Sequence, residues 1–403
     1  MLKKFLFRFC GIVLAVAFVF VGTHVQFVEI FSLPNSSIIT YSDIDDINKN
    51  KLFGELITAE LANIQVGNDK KSYGSLWLKL FGFFPIKKVD VEVSKGEEVY
   101  IGGIPLGFAI KTKGLLVVGS NSVLAEDGKI ETAKTAEIKE GDIVLKINGE
   151  NISSYLDIPR VLDENEGQKV WLSILRDGEV FSCYVVPEKD TSGDYKIGLW
   201  IKENASGIGT LTFVKKSDNR FGALGHAITD FETGVEVPVD DGNIYRCSLI
   251  GINKAEKNSP GELRCIFLQG VNNKGEIEKN TKFGVYGTVT DLENVVDNNL
   301  TAEIGSRLAV KTGKAKIVSS VSGMREEYDI EIIKTSYQPE SDDKSFVFRV
   351  TDARLLELTG GILQGMSGSP ILQNGKLIGA VTHVFVSDPT KGYGIYADWM
   401  ALQ

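Results

Sequence analysis

Histidine and paired cysteine are what this sequence has least of, and the shortage narrows its chemistry at once. Three histidines occur in 403 residues, His24, His226 and His383. The four cysteines, Cys10, Cys183, Cys247 and Cys265, form no Cys-x-x-Cys pair and have no histidine nearby. A structural zinc site draws on closely spaced Cys and His ligands, and a dithiol redox centre on two adjacent thiols, so no metal and no other cofactor is expected. Cys10 falls in an apolar leader, which leaves an odd number beyond it and favours buried thiols over a disulfide framework. Outside the N-terminus there is no dense Lys/Arg block, and the net charge is −9. A nucleic-acid partner is therefore not expected. With 43% hydrophobic residues the chain is rich enough for real cores, and long enough for two or three domains.

The N-terminus speaks to the compartment. Lys3, Lys4 and Arg8 precede an apolar run from Phe9 to Gly22, an order that keeps the positive end in the cytoplasm and sends the rest across. No small-x-small cleavage site follows, so residues 1–31 are read as an uncleaved signal-anchor transmembrane helix, with the remainder exported. Residues 32–97 read as a polar, turn-rich connector with a short helical pattern from Leu52 to Ile64. Its exception is the apolar run Leu76 to Pro85, which suits packing on the next domain or lying at the membrane surface.

Residues 98–190 carry a recurring turn-and-strand constellation. Gly102-Gly103-Ile104-Pro105-Leu106-Gly107-Phe108-Ala109-Ile110 reads as a turn leading into a strand. A Gly141-Asp142 turn, an apolar strand and an Asn148-Gly149 hairpin follow, then a helical stretch from Tyr155 to Leu162, then two strands joined at Asp177-Gly178. This series resembles a PDZ domain. The resemblance implies that the loop before the first groove strand receives a peptide carboxylate, with Leu106, Gly107 and Phe108 binding peptide tails that add as a strand.

Residues 191–403 hold the chemistry. Gly365-Met366-Ser367-Gly368-Ser369-Pro370 has the form Gly-x-Ser-Gly-x-Pro, in which the turn lets the N–H groups of Gly365 and Ser367 face one oxyanion. A serine hydroxyl needs a base. His226, set among small residues upstream of the serine, is the better candidate; His383, in a strand after it, suits the wall that holds substrate backbone together with Thr382. The orienting carboxylate is read as Asp352, at the end of an alternating strand, with Asp230 the leading rival and Asp240 and Asp241 behind it. The order His, Asp, Ser is that of chymotrypsin-like enzymes.

Taken together, the apolar leader, the PDZ segment, Gly222-Ala223-Leu224-Gly225-His226, Thr351-Asp352-Ala353, the Ser367 motif and Gly379-Ala380-Val381-Thr382-His383-Val384 resemble the stage IV sporulation protein B peptidases. The resemblance implies a mainly β protein with a chymotrypsin-like two-barrel domain and a His226, Asp352, Ser367 triad. It further implies a serine endopeptidase lodged between the forespore and mother-cell membranes, anchored or secreted. Such an enzyme trims itself in the connector and cuts the extracytoplasmic part of a membrane-bound regulator of an intramembrane protease, which leads to activation of a late mother-cell sigma factor. Two other classes compete. An inactive PDZ adaptor would lose the triad, of which a plausible member stands at every position here. A general envelope quality-control protease usually places its PDZ domain after the catalytic domain, whereas here it comes first.

Overall fold

The structure is a computed structural model and describes residues 11, 13–14, 30–31, 33–44, 57–67, 72–271, 273–336, 338 and 340–403. Most of the expected anchor, 1–31, lies outside these residues. Among those described, no helix is long and apolar enough to cross a membrane.

Strand pairing closes two barrels. In the first, the strand Pro105–Ser120 pairs with Val239–Arg246, which pairs with Asn273–Thr281, then Gly284–Val289, Arg220–Ala223 and Leu199–Lys215, and Leu199–Lys215 returns to Pro105–Ser120. The second circuit runs Gly313–Ser319, Glu326–Thr335, Phe346–Val350, Lys391–Tyr396, Lys376–Val384, Pro370–Gln373 and back to Gly313–Ser319. Each circuit is antiparallel, and alternate residues turn inward to fill it. Leu106, Phe108, Ile110, Leu211 and Val285 pack inside the first barrel; Ile317, Ile330, Phe348, Ile371 and Val381 pack inside the second. Val99, Ile101, Phe213, Ile304, Val318 and Ala380 form the apolar layer that joins them. This is the expected mainly β, chymotrypsin-like architecture.

The domain boundaries differ from the expectation. The long strand Pro105–Ser120 belongs to two structures. Its first half is barrel wall, while Leu115 and Val117 join a separate core with Ile138, Val144, Leu162, Leu172 and Ile174. That second core is the PDZ unit. Its helix Asp157–Glu164 covers a sheet built on Ile143–Ile147 and Val170–Arg176. The chain leaves the barrel along one strand and returns along its partner Leu199–Lys215, so the PDZ unit is inserted into the first barrel rather than preceding it. An apolar alternation of 16 residues looks the same in sequence whether it serves one core or two.

The insertion also corrects the reading of Leu106, Gly107 and Phe108. Their strand is hydrogen-bonded along both edges: Gly107 stands opposite Ile208 on one side and Tyr245 on the other. Leu106 and Phe108 are fully buried. A strand with both edges paired cannot accept another, so these residues form barrel core and not a carboxylate loop.

The connector is corrected as well. Ser36–Thr40, Ile57–Val66, Ser72–Leu80 and Phe84–Ser94 form a four-stranded sheet, with Ser36–Thr40 parallel to Phe84–Ser94. Ile57–Val66, expected in part as helix, is a strand. Ile39, Ile57, Leu76, Leu78, Val89 and Val91 give the sheet its own core. Asp43, fully buried, anchors it to the second barrel through Lys376 Nζ at 2.5 Å and the Ser306 N–H at 3.2 Å.

Candidate active site

The site is built from the serine upward. Gly365 and Gly368 both have φ of +93°, a conformation that L side chains rarely adopt. At Gly368 a Cβ would also sit 2.0 Å from the Thr210 carbonyl oxygen, so this turn depends on glycine. Thr210, on the first barrel, pins the loop: its N–H donates to the Ser367 carbonyl at 2.8 Å and its hydroxyl to the Gly365 carbonyl at 2.8 Å. Thr212 Oγ1 does the same for the Gly368 carbonyl at 2.8 Å. On the other side, the Leu263 N–H donates to Gln364 O, and the Leu263 side chain packs on Gly365. With the carbonyls tied down, the N–H groups of Gly365 and Ser367 meet no acceptor among the described residues. Two free donors flanking a serine fit a cradle for a developing oxyanion.

Ser367 opens on a cleft of about 700 Å³ between the barrels, lined also by His226, Asp343, Gly365, Thr382 and His383. His226 follows the strand Arg220–Ala223 of the first barrel, while the strand Lys376–Val384 of the second brings in Thr382 and His383. The pairing of that strand with Lys391–Tyr396 shifts between Val381 and Val384, which takes Thr382 and His383 out of the regular ladder at the cleft. The two imidazole rings stand 5.4 Å apart, centre to centre.

Tautomers follow from the partners. His226 Nδ1 lies 2.9 Å from the carbonyl of Ala227. A carbonyl only accepts, so Nδ1 carries the proton and Nε2 keeps its lone pair, the form a general base requires. Burial pushes the His226 pKa below its ordinary value, only partly offset by the Ala227 hydrogen bond. His383 is pushed down to about 4, by burial first and then by the neighbouring His226 and Lys344. Both rings are therefore neutral at neutral pH.

The structure does not bring Asp352 to this cleft. Asp352 caps the helix Ala353–Thr359: one carboxylate oxygen accepts from the Arg354 N–H at 2.9 Å and from Arg354 Nε, while the other accepts from Arg354 Nη2 and the Asp329 N–H. The Arg354 guanidinium holds this carboxyl down at about 2. The helix needed a capping carboxylate at that position, and the cap uses the group that was read as orienting the base. Asp230, the rival, is also engaged, with Thr233, Glu232 and Lys202. The carboxylates that do line the cleft are those of Glu236 and Asp343; Asp343 has an oxygen 3.8 Å from His383 Nδ1. It sits in Glu340-Ser341-Asp342-Asp343-Lys344, a run that in sequence looks like solvated surface and offers no signal of a site.

A family model described as SpoIVB peptidase S55 matches residues 193–401, and a PDZ domain model matches residues 132–176. The zinc metalloprotease RasP of Bacillus licheniformis is 32% identical over 87 residues, 21% of this chain and 21% of that protein. The pro-apoptotic serine protease NMA111 of Saccharomyces cerevisiae is 48% identical over 42 residues, 10% of this chain and 4% of that protein. This chain thus spans about a fifth or less of these curated relatives. Among solved structures, the inactive form of the Rv3671c protease is 14% identical, with 49% of this chain and 82% of that one covered and a TM-score of 0.25. The HtrA-type protease AlgW with a decapeptide is 12% identical, with 51% and 52% covered and a TM-score of 0.26.

Proposed function

This chain belongs to the SpoIVB peptidase S55 family, and we propose that it is a serine endopeptidase with Ser367 as nucleophile and His226 as general base. One observation carries the reading: the first barrel's His226 and the second barrel's Ser367 line the same cleft, with the Gly365 and Ser367 N–H groups free beside them. Ser367 Oγ attacks the scissile carbonyl carbon while His226 Nε2 takes the hydroxyl proton. The oxyanion is received by the Gly365 and Ser367 N–H groups. His226 then returns the proton to the leaving amine, and water hydrolyses the acyl-serine by the same route in reverse. Thr382 and His383, where the ladder is interrupted, offer backbone to an extended substrate.

The substrates are the chain's own N-terminal region and the extracytoplasmic part of a membrane protein that regulates an intramembrane protease. The setting is the space between forespore and mother-cell membranes, with the leader as anchor and the PDZ unit holding peptide tails through a surface other than Leu106 to Phe108. Self-trimming has to contend with the packed sheet of residues 36–94, whose strands are paired and tied to the second barrel through Asp43.

Ser367→Ala tests the reaction. Loss of the nucleophile should lower kcat on an unstructured protein substrate by about 10⁴- to 10⁶-fold while the thermal transition stays in place. Undiminished hydrolysis by the purified variant would exclude Ser367.

A further inference from the structure

We propose that the tip of the hairpin formed by Ser72–Leu80 and Phe84–Ser94 seats in the surface of a lipid bilayer, with Phe81, Phe83 and Phe84 as the rings that enter it. The inference rests on the reading of the leader as a membrane anchor. It concerns the apolar run Leu76 to Pro85, which the peptidase chemistry leaves unused.

The structure divides that run in two. Leu76 and Leu78 are buried in the core of the four-stranded sheet. Beyond Leu80 the rings turn outward: Phe81, Phe83 and Phe84 are 52%, 63% and 58% exposed. They stand together, with the ring centres of Phe83 and Phe84 4.4 Å apart and those of Phe81 and Phe83 6.4 Å apart. Clustered aromatic rings at the end of one hairpin are costly in water and mark a contact surface. The turn itself gives no reason for them. Phe81 has φ of +54°, followed by Gly82 at +80°, a conformation that hairpin turns assign to asparagine, aspartate or glycine. A bulky ring is held there against its backbone preference.

Two observations favour lipid over a protein partner. Lys87 Nζ donates to the carbonyl oxygens of Phe31, at 3.1 Å, and of Leu33, while Ile30 and Leu33 lie in the core of the sheet. The end of the leader is thus fastened to the hairpin itself, three residues of strand from Phe84, or about 10 Å. A chain anchored through its leader keeps this tip within reach of the bilayer. The second observation is the set of lysines behind the rings, Lys79 on one strand and Lys87 and Lys88 on the other. Their stems can lie along apolar surface while the ammonium groups reach headgroup phosphates. Lys79 pairs with Glu60, and Lys88 with Asp90 at 2.7 Å, so the rings rather than the charges carry the contact. Because Asp43 ties the sheet to the second barrel through Lys376 and the Ser306 N–H, a seated tip sets how far that barrel stands from the lipid.

The test uses the full chain in phosphatidylcholine vesicles, with the variants Phe83→Trp and Phe231→Trp, each shown to keep the parent's thermal transition. Phe231, 99% exposed and outside the sheet, is the control. After subtraction of the parent signal, the indole of Phe83→Trp should emit at shorter wavelength on vesicles and be quenched by brominated acyl chains. Phe231→Trp should show neither change. A phospholipid carrying a diazirine reads the parent chain directly, with adducts expected on the peptide that holds Phe81 to Phe84. Added phosphatidylglycerol should alter these results little. Quenching that needs phosphatidylglycerol would place the contact on the lysines and overturn the proposal, and so would equal quenching at both positions. A chain that floats with the vesicles while Phe83→Trp stays unquenched and the lipid adducts miss the tip would overturn the proposal and leave the anchor standing. A chain that does not float with the vesicles would overturn both.

Discussion

The hydroxyl of Ser367 donates to the carbonyl oxygen of Thr382 at 2.9 Å, so the nucleophile is hydrogen-bonded to the wall that would receive substrate. Its proton points at a carbonyl that cannot take it. Attack requires the hydroxyl to swing toward His226 Nε2, and substrate backbone competing for the Thr382 carbonyl supplies a reason for it to do so. Binding and activation are thereby linked through one carbonyl group.

The neutral state of the base sets the pH dependence. Burial lowers the pKa of His226 from the ordinary 6.5, so the basic form persists as the pH falls and is lost only when the pH passes through the lowered value. The acid limb of kcat/KM should therefore lie below pH 6.5. A limb at or above that value would mean that a carboxylate raises His226 more than burial lowers it. Stability follows the same sign. Unfolded histidines take up protons near pH 6.5, while buried His226 and His383 resist until lower pH. Their contribution is thus fully present above 6.5 and declines as the pH falls through the lowered folded values.

Gly107 gives a second outcome. A Cβ there would stand 2.3 Å from the ring of Phe267, which stacks on Tyr245 at 5.7 Å. Gly107→Val should destabilise the first barrel by about 1–3 kcal/mol through overpacking, seen as a lower urea midpoint. Hydrolysis of short peptides and of folded substrates should fall together. Loss of folded-substrate cleavage alone, at unchanged stability, would return this residue to peptide capture.

Much of the site was legible because its residues are chemically scarce. With three histidines in the chain, a Gly-x-Ser-Gly-x-Pro turn and one histidine among small residues upstream, Ser367 and His226 stood out, and the structure places both on one cleft. The carboxylate was not legible. Aspartates are common, and Asp352, at the end of a strand, was as suitable for a helix cap as for orienting a base. The structure shows it capping that helix and paired with Arg354. The fold shows the same division. Period-two alternation gave strands, but it could not reveal that Pro105–Ser120 serves two cores, or that Ile57–Val66 pairs with Ser72–Leu80 to build a sheet from what reads as connector. Strand partners far apart in sequence leave no local mark.

The central claim is that Ser367 is a nucleophile activated by His226, and labelling with a serine-directed fluorophosphonate tests it most directly. The purified chain should gain one adduct, located on Ser367 by peptide mass spectrometry. His226→Ala should slow the labelling by orders of magnitude while its thermal transition is retained. No adduct on Ser367 in the folded parent chain, or labelling at the same rate without His226, would contradict the account.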